Sequence, residues 1–200
     1  MKRIILIILA IFLSYGEISA TMQVPDLIIY KNNKWVLRVH GSTSPLQVYY
    51  LVSKNPYPFK MIGTSNYRGF IAKWAIVDNT LYLKDVSIRS RKVDLKRLFG
   101  EEVIDDRVKA SWFSGILLIY KTTEKASAYV AYIDKKRYFV DYSEHTFLEI
   151  ENGIMKDEYI LDDFAFEELR RNYFSKKITN ENHRRIYQKY LLYRNKYYKD

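Results

Sequence analysis

Tyr67-Arg68-Gly69-Phe70-Ile71-Ala72-Lys73-Trp74-Ala75-Ile76-Val77, then Asp78-Asn79-Thr80, then Leu81-Tyr82-Leu83-Lys84-Asp85-Val86, is the stretch that decides the fold. Two runs rich in β-branched and aromatic residues flank a polar turn, the pattern of a β-hairpin. With Asp78 and Asn79 as the turn residues, both tolerate the positive φ of a type I′ turn. The register then sets Ile76 opposite Leu81, Trp74 opposite Leu83 and Lys73 opposite Lys84. One face is apolar and Trp74 belongs to the core. The lysine pair is a mild like-charge penalty, tolerable when both side chains reach solvent.

Outward from this hairpin the same grammar repeats. Leu27 to Tyr30 and Trp35 to Val39 read as strands around Lys31-Asn32-Asn33-Lys34. Ser44 as N-cap with Pro45 at the first helical position predicts a helix of two turns through Leu51, ended by Asn55-Pro56-Tyr57-Pro58. Val93 to Phe99 has helical spacing and stops at Gly100. Ile116 to Tyr120 is apolar at successive positions, so it is expected to be buried on both faces. Ala128 to Ile133 and Tyr138 to Tyr142 pair around Asp134-Lys135-Lys136-Arg137. Phe147 to Glu151 and Ile154 to Tyr159 pair around Asn152-Gly153, a strong turn signal that sets Ile150 opposite Met155 and Glu149 opposite Lys156.

From Asp162 the period becomes helical. Asp162 and Asp163 cap a helix carrying Phe164, Leu169 and Phe174. A second helix opens at Thr179-Asn180-Glu181 with the stripe Ile186, Tyr190, Tyr193 and Tyr197. The expected fold is therefore α+β, an antiparallel twisted sheet of about seven to ten strands built from hairpins, with a short helix near residues 45–52 and two C-terminal helices.

The run Arg68-Gly69-Phe70-Ile71-Ala72-Lys73-Trp74, followed by Leu81-Tyr82-Leu83, is similar to a pattern found in a family of small, secreted, uncharacterised bacterial proteins. That pattern is an aromatic-Arg-Gly-aromatic-Ile-x-x-Trp strand, a turn, and a strand with an aromatic residue between two leucines. The resemblance extends to Pro25-Asp26-Leu27-Ile28-Ile29-Tyr30, Trp112-Phe113-Ser114-Gly115 and Phe147-Leu148-Glu149-Ile150-Glu151-Asn152-Gly153. It covers most of residues 25–155 and leaves the C-terminal segment uncovered. Family members often carry Gly where this chain has Asn79. The resemblance implies fold and export and supplies no catalytic residue.

The N-terminus points to export independently. Met1-Lys2-Arg3 is followed by an apolar run from Ile4 to Leu13 and a polar end closing on Ala20, which reads as a signal peptide over residues 1–20. The run is too short for a bilayer span, which needs about 20 apolar residues. The chain has no cysteine, so lipid attachment through cysteine, disulfides and thiolate metal sites are excluded. The mature protein is expected in the periplasm or secreted. It comprises a β-rich domain over residues 21–161 and a basic helical segment over residues 162–200, packed on the same domain. Removing Lys2, Arg3 and Glu17 changes the net charge from +10 to +9, and residues 167–200 alone carry ten Lys or Arg against four Asp or Glu.

No motif has the spacing of a nucleotide, nucleophile or metal site, and no cofactor is implied. Glu101-Glu102-Val103-Ile104-Asp105-Asp106 is the most acidic stretch, but consecutive carboxylates on a connection lack the separation that paired acid–base catalysis needs, so it reads as a solvated loop. Ser114 lacks the Gly-x-Ser-x-Gly elbow. His145, Glu149 and Glu151 share one strand face with Phe147, a polar edge rather than a ligand set. The scattered tyrosines read as structural more than as a binding platform.

The basic C-terminus has two main readings. In the plainer one its helix packs a tyrosine stripe on the sheet and leaves the cations in water. In the functional one Arg184, Arg185, Lys189, Arg194 and Lys196 dock an acidic protein partner, because a clustered positive face speeds and selects encounter with a negative one. A membrane surface is a lesser alternative, and nucleic acid is disfavoured for an exported protein. The leading functional expectation is an exported, non-enzymatic binding protein, of the immunity type that neutralises a toxin. The alternative is an envelope hydrolase or carbohydrate-binding protein whose site converges only in three dimensions. Export is tested first by intact mass: the native protein is expected to begin at Thr21 or within a few residues of it, and a chain retaining Met1 to Ala20 would contradict it.

Overall fold

Among the described residues, five two-residue turns set the strands. Lys31-Asn32, Asp78-Asn79, Arg89-Ser90, Asp105-Asp106 and Asn152-Gly153 all have positive φ at both positions, the geometry whose twist matches the flanking strands. The computed structural model describes residues 23–38, 44–123, 130–133, 136–172 and 180–197, of which 130–133, 136–138, 172 and 193–197 are described by backbone alone. The expected signal segment, His40 and Phe174 lie outside the described residues, as do the side chains of Tyr193 and Tyr197.

The architecture is α+β, with twelve strands in one sheet among the described residues. In chain order they are β1 (Asp26–Tyr30), β2 (Asn33–Leu37), β3 (Ile71–Val77), β4 (Thr80–Ile88), β5 (Arg91–Lys92), β6 (Val103–Ile104), β7 (Arg107–Lys109), β8 (Gly115–Thr123), β9 (Val130–Ile133), β10 (Lys136–Val140), β11 (Glu144–Glu151) and β12 (Ile154–Asp162). The helices are α1 (Pro45–Ser53), α2 (Leu95–Phe99), α3 (Asp163–Asn172) and α4 (Glu181–Tyr197). Seven strands close into a barrel-like ring in the order β11-β12-β4-β3-β1-β2-β8, with β8 returning to β11. The closing seam between β12 and β4 is narrow. It consists of the Ile154–Thr80 pair and backbone bonds from Leu81 to Gly153 (2.8 Å) and from Met155 to Asn79 (2.7 Å), so two hairpin tips are joined.

One pairing differs from the all-hairpin expectation: β1 and β3 run parallel, Ile28 beside Trp74. Between β2 and β3 the chain passes through α1 and a long connection, the kind of crossover that parallel neighbours require. The acidic stretch is also more ordered than a loop, since Val103–Ile104 and Arg107–Lys109 form a small hairpin turning on Asp105-Asp106. The second strand of the next pair begins earlier than Tyr138, with Lys136 already opposite Ile133.

Both hairpin registers hold near the turn and then slip by one residue. Ile76 faces Leu81 and Trp74 faces Leu83, but Lys73 faces Asp85 rather than Lys84. Likewise Ile150 faces Met155, but Glu149 faces Asp157 rather than Lys156. In each case a bulge takes an extra lysine out of the ladder. The like-charge pair is thereby replaced by Lys73–Asp85 at 3.9 Å, and Lys156 meets Glu151 at 3.6 Å instead of Glu149.

Alternation divides the ring into two cores. The inner one takes Ile28, Leu37, Ala72, Trp74, Leu83, Leu117, Ile119, Leu148 and Ile150 from the strands, with Leu46, Val48, Tyr49 and Tyr50 of α1 added. The outer one takes Leu27, Val36, Leu118, Tyr120, Phe147 and Leu161, covered by Phe166 and Leu169 of α3 and Ile186 and Tyr187 of α4. β8 is thus buried on both faces, as its continuous apolar run predicts. In α3 the packed face is Phe166 and Leu169, whereas Phe164, expected in the stripe, is 80 % exposed. The capping explains this: Asp162 accepts the Ala165 amide at 2.7 Å, which sets the first turn so that Phe164 projects away from the sheet.

Trp74 is fully buried. Trp74→Ala is expected to cost about 3 to 5 kcal/mol in chemical denaturation, as truncation of a large core aromatic does. A midpoint unchanged from the parent would show that the inner core tolerates the cavity.

Candidate functional site

The described residues hold two buried polar assemblies and one cationic helix, and these are the candidates for function. The first centres on Asp26, fully buried on β1. Its Oδ1 accepts from Arg68 Nη1 (3.0 Å) and from the Ala72 amide (3.0 Å). Its Oδ2 accepts from Ser44 Oγ (2.7 Å) and Trp74 Nε1 (3.2 Å). Arg68 also donates to the Val24 carbonyl and lies over the Phe70 ring at 5.1 Å. Ser44 is the N-cap residue of α1, as expected, yet its hydroxyl is spent on Asp26 rather than on the helix amides. A carboxylate with four donors and no exposure has no lone pair left for a substrate. This assembly is structural.

The second assembly crosses the outer core. Arg38 Nη1 donates to Tyr120 Oη (3.1 Å), Tyr120 Oη meets His145 Nδ1 (3.0 Å), and His145 Nε2 meets Asp163 Oδ1 (3.1 Å). The imidazole stacks on Phe166 with centroids 3.8 Å apart. Burial, the largest influence, lowers the His145 pKa against the opposing pull of Asp163, and burial raises that of the Tyr120 phenol. A guanidinium can only donate and a carboxylate can only accept, so the phenol oxygen accepts from Arg38, Nε2 donates to Asp163, and Nδ1 of the neutral ring accepts the phenol proton. The remaining ring proton therefore sits on Nε2 and points at Asp163. Sequence reasoning placed His145 on a polar edge and did not join it to Arg38, Tyr120 or Asp163. The four lie on different elements, and no local pattern brings them together.

The third candidate is the tail. α4 turns Ile186 and Tyr187 into the outer core, with Tyr190 and Leu191 packed against it. Of the predicted docking residues, Arg185 is exposed and Arg184 half-buried. Lys189 bonds to Glu149, which also accepts from Tyr159 Oη (3.2 Å). Burial, then Asp157 and Glu149, push the Tyr159 phenol up to about 12. Lys189 is thus a strut between α4 and β11 as well as a surface charge. Arg194 and Lys196 lie on α4, their side chains outside the description.

The remaining candidates are used locally. Ser114 Oγ accepts the Asn152 amide at 2.9 Å and so fixes the last hairpin turn. Glu149 and Glu151 are committed to Lys189 and Lys156, and among the described residues no group of three or more His, Cys, Asp or Glu could hold a metal ion. Nor, among them, is any helix long and apolar enough to cross a membrane. No protein-family model, curated protein or solved structure matches this chain.

If the Asp26 assembly is structural, Arg68→Met should destabilise the protein by about 3 to 5 kcal/mol, because it strands a buried carboxylate. Stability close to the parent's in thermal or urea melts would overturn the assignment.

Proposed function

We propose that this protein is an exported, non-enzymatic binding protein that covers an acidic surface on a protein partner, as an immunity protein covers a toxin. The observation that carries this reading is the one-sided anchoring of α4. Ile186, Tyr187 and the Lys189–Glu149 bridge fasten one side of the helix to the barrel, while Arg185, Gln188 and Leu192 face outward. A rigid cationic ridge loses little freedom on docking, and its charge steers an acidic partner. The buried carboxylate and imidazole are already engaged in contacts that hold the fold, which leaves surface recognition as the supported role. Arg184, Arg185, Arg194 and Lys196 form the proposed contact set, with Lys189 contributing through its strut.

A second reading draws on a depression beside α3. There Phe164, Asp163, Glu167, Glu168 and Arg171 line a shallow cavity of about 490 Å³. An exposed aromatic ring beside carboxylates suits a sugar, which is the carbohydrate-binding alternative.

Affinity capture from an envelope extract with the mature protein, followed by mass spectrometry, identifies the partner. Arg185, Arg194 and Lys196 are then replaced together by Glu. Association is expected to slow strongly, and binding by the parent should weaken as salt rises from about 0.05 to 0.5 M, while reversal at the exposed Arg185 should change stability by only about 0 to 1 kcal/mol. Binding indifferent to salt and to charge reversal would remove the tail as docking surface. Capture of envelope glycan that is lost on Phe164→Ala would favour the carbohydrate reading instead.

A further inference from the structure

The proposed docking helix is held on the barrel next to a buried histidine that no part of the binding reading uses. His145 sits where β11 meets α3, and its two ring nitrogens connect two different layers. Nδ1 faces Tyr120 of the barrel and Nε2 faces Asp163 in the first turn of α3. Its flat face stacks on Phe166, and the Phe166 ring in turn contacts Tyr187 of α4 at 6.3 Å. The imidazole therefore lies between the barrel and both C-terminal helices.

We propose that Arg38, Tyr120, His145 and Asp163 form an acid-sensitive latch that keeps α3 and α4 docked in neutral solution and loosens them in mildly acidic solution. The proposal rests on the binding reading only for its consequence, that the α4 face is presented or withdrawn with pH. The latch itself is a property of the chain alone.

The hydrogen-bond polarity gives the mechanism. With His145 neutral, each group in the chain donates once along one direction, from Arg38 through Tyr120 and His145 to Asp163. Addition of a proton to Nδ1 turns that nitrogen into a donor aimed at Tyr120. The phenol oxygen then faces two donors, Arg38 and His145, and its own hydrogen loses its acceptor in a site where Tyr120 is 1 % exposed. Such a stranded group carries a desolvation penalty. A second positive charge also arrives near the Arg38 guanidinium. Around the ring, Arg38 opposes the added proton, while Asp163 and Glu167 of α3 favour it. Tyr142 packs edge-on against Tyr120, and Tyr187 lies behind Phe166. The Asp163 carboxylate is 63 % exposed, so water screens its attraction.

Because burial lowers the folded-state pKa, the unfolded chain binds more protons in the interval between that value and the ordinary histidine value of about 6.5. The stability held by the neutral ring is complete above about 6.5 and declines as pH falls below it.

The test is NMR on the mature protein without any partner. The chain has three histidines, His40, His145 and His183, and His145→Phe identifies the ring signals of His145 while keeping an aromatic stack on Phe166. The expected result has three parts. His145 titrates below about 6.5. Backbone signals of α3 and α4 move or broaden with the same midpoint while β3 and β4 stay fixed, and His145→Phe abolishes that movement. Arg38→Met and Tyr120→Phe raise the midpoint, the first by removing a charge and a donor, the second by removing the bond to Nδ1. These two variants carry the test should His145→Phe fail to fold. Helix signals that ignore pH, or that follow a midpoint unmoved by Arg38→Met and Tyr120→Phe, would overturn the latch. A latch that works beside a tail whose charge reversal leaves partner binding intact would leave this inference standing and remove the α4 docking role.

Discussion

The carboxylate of Asp26 is the constraint on which the rest of the structure depends. It is fully buried on β1, and its four donors come from three places: the connection before β3, the backbone and indole of β3 itself, and the start of α1. A lone carboxylate in such a site would carry a cost of several kcal/mol, so the chain is stable only when all four arrive together. That requirement couples pieces distant in sequence. It fixes β3 parallel to β1, seats α1 over the inner core, and threads residues 54–70 so that Arg68 points inward. Gly69 completes the passage: it has φ +82°, and a Cβ there would stand 2.2 Å from the Lys60 carbonyl oxygen. Neither the conformation nor the space admits another residue.

This explains which parts of the fold were legible in the sequence. Hairpins are local, so their turns and first pairs could be read directly, and Trp74 could be placed in the core from its position opposite Leu83. The bulges were not readable, because they begin where Lys84 and Lys156 can exchange a ladder position for a charge partner or solvent, and that choice depends on the neighbouring strands. The parallel pair and the closure of the ring are set by contacts between residues more than forty positions apart, such as Asp26 with Arg68. Even so, three of the conspicuous residues around them, Asp26, Arg68 and Trp74, prove to be one hydrogen-bonded unit. Their pattern was a signal of architecture, as the hairpin reading supposed.

The C-terminal segment shows where periodicity misleads. Phe164 and Leu169 were read as one stripe, but a spacing of five sets them on different sides of a helix, and which side packs depends on where the helix starts. The Asp162 cap starts α3 so that Phe166 and Leu169 face the barrel. In α4 the reading of Ile186 and Tyr190 as inward was sound, while Tyr187 was missed because adjacent residues on a helix share a wide buried face when it lies in a groove between α3 and the sheet. Counting cations overstated the free charge of the tail in the same way, since Lys189 is drawn back to Glu149.

The two buried polar assemblies differ in one respect that separates holding from switching. Around Asp26 every donor is a group that keeps its proton under ordinary conditions, an amide, an indole, a hydroxyl and a guanidinium, so the arrangement has a single state. Around His145 the polarity is imposed from one end by Arg38 and ends on an exposed carboxylate, with a titratable ring between them. The first assembly joins the barrel to itself and to the start of α1. The second joins the barrel to the C-terminal helices, so in the proposed latch a change at one ring nitrogen acts on the segment to which the proposed binding role is assigned and leaves the ring of strands in place.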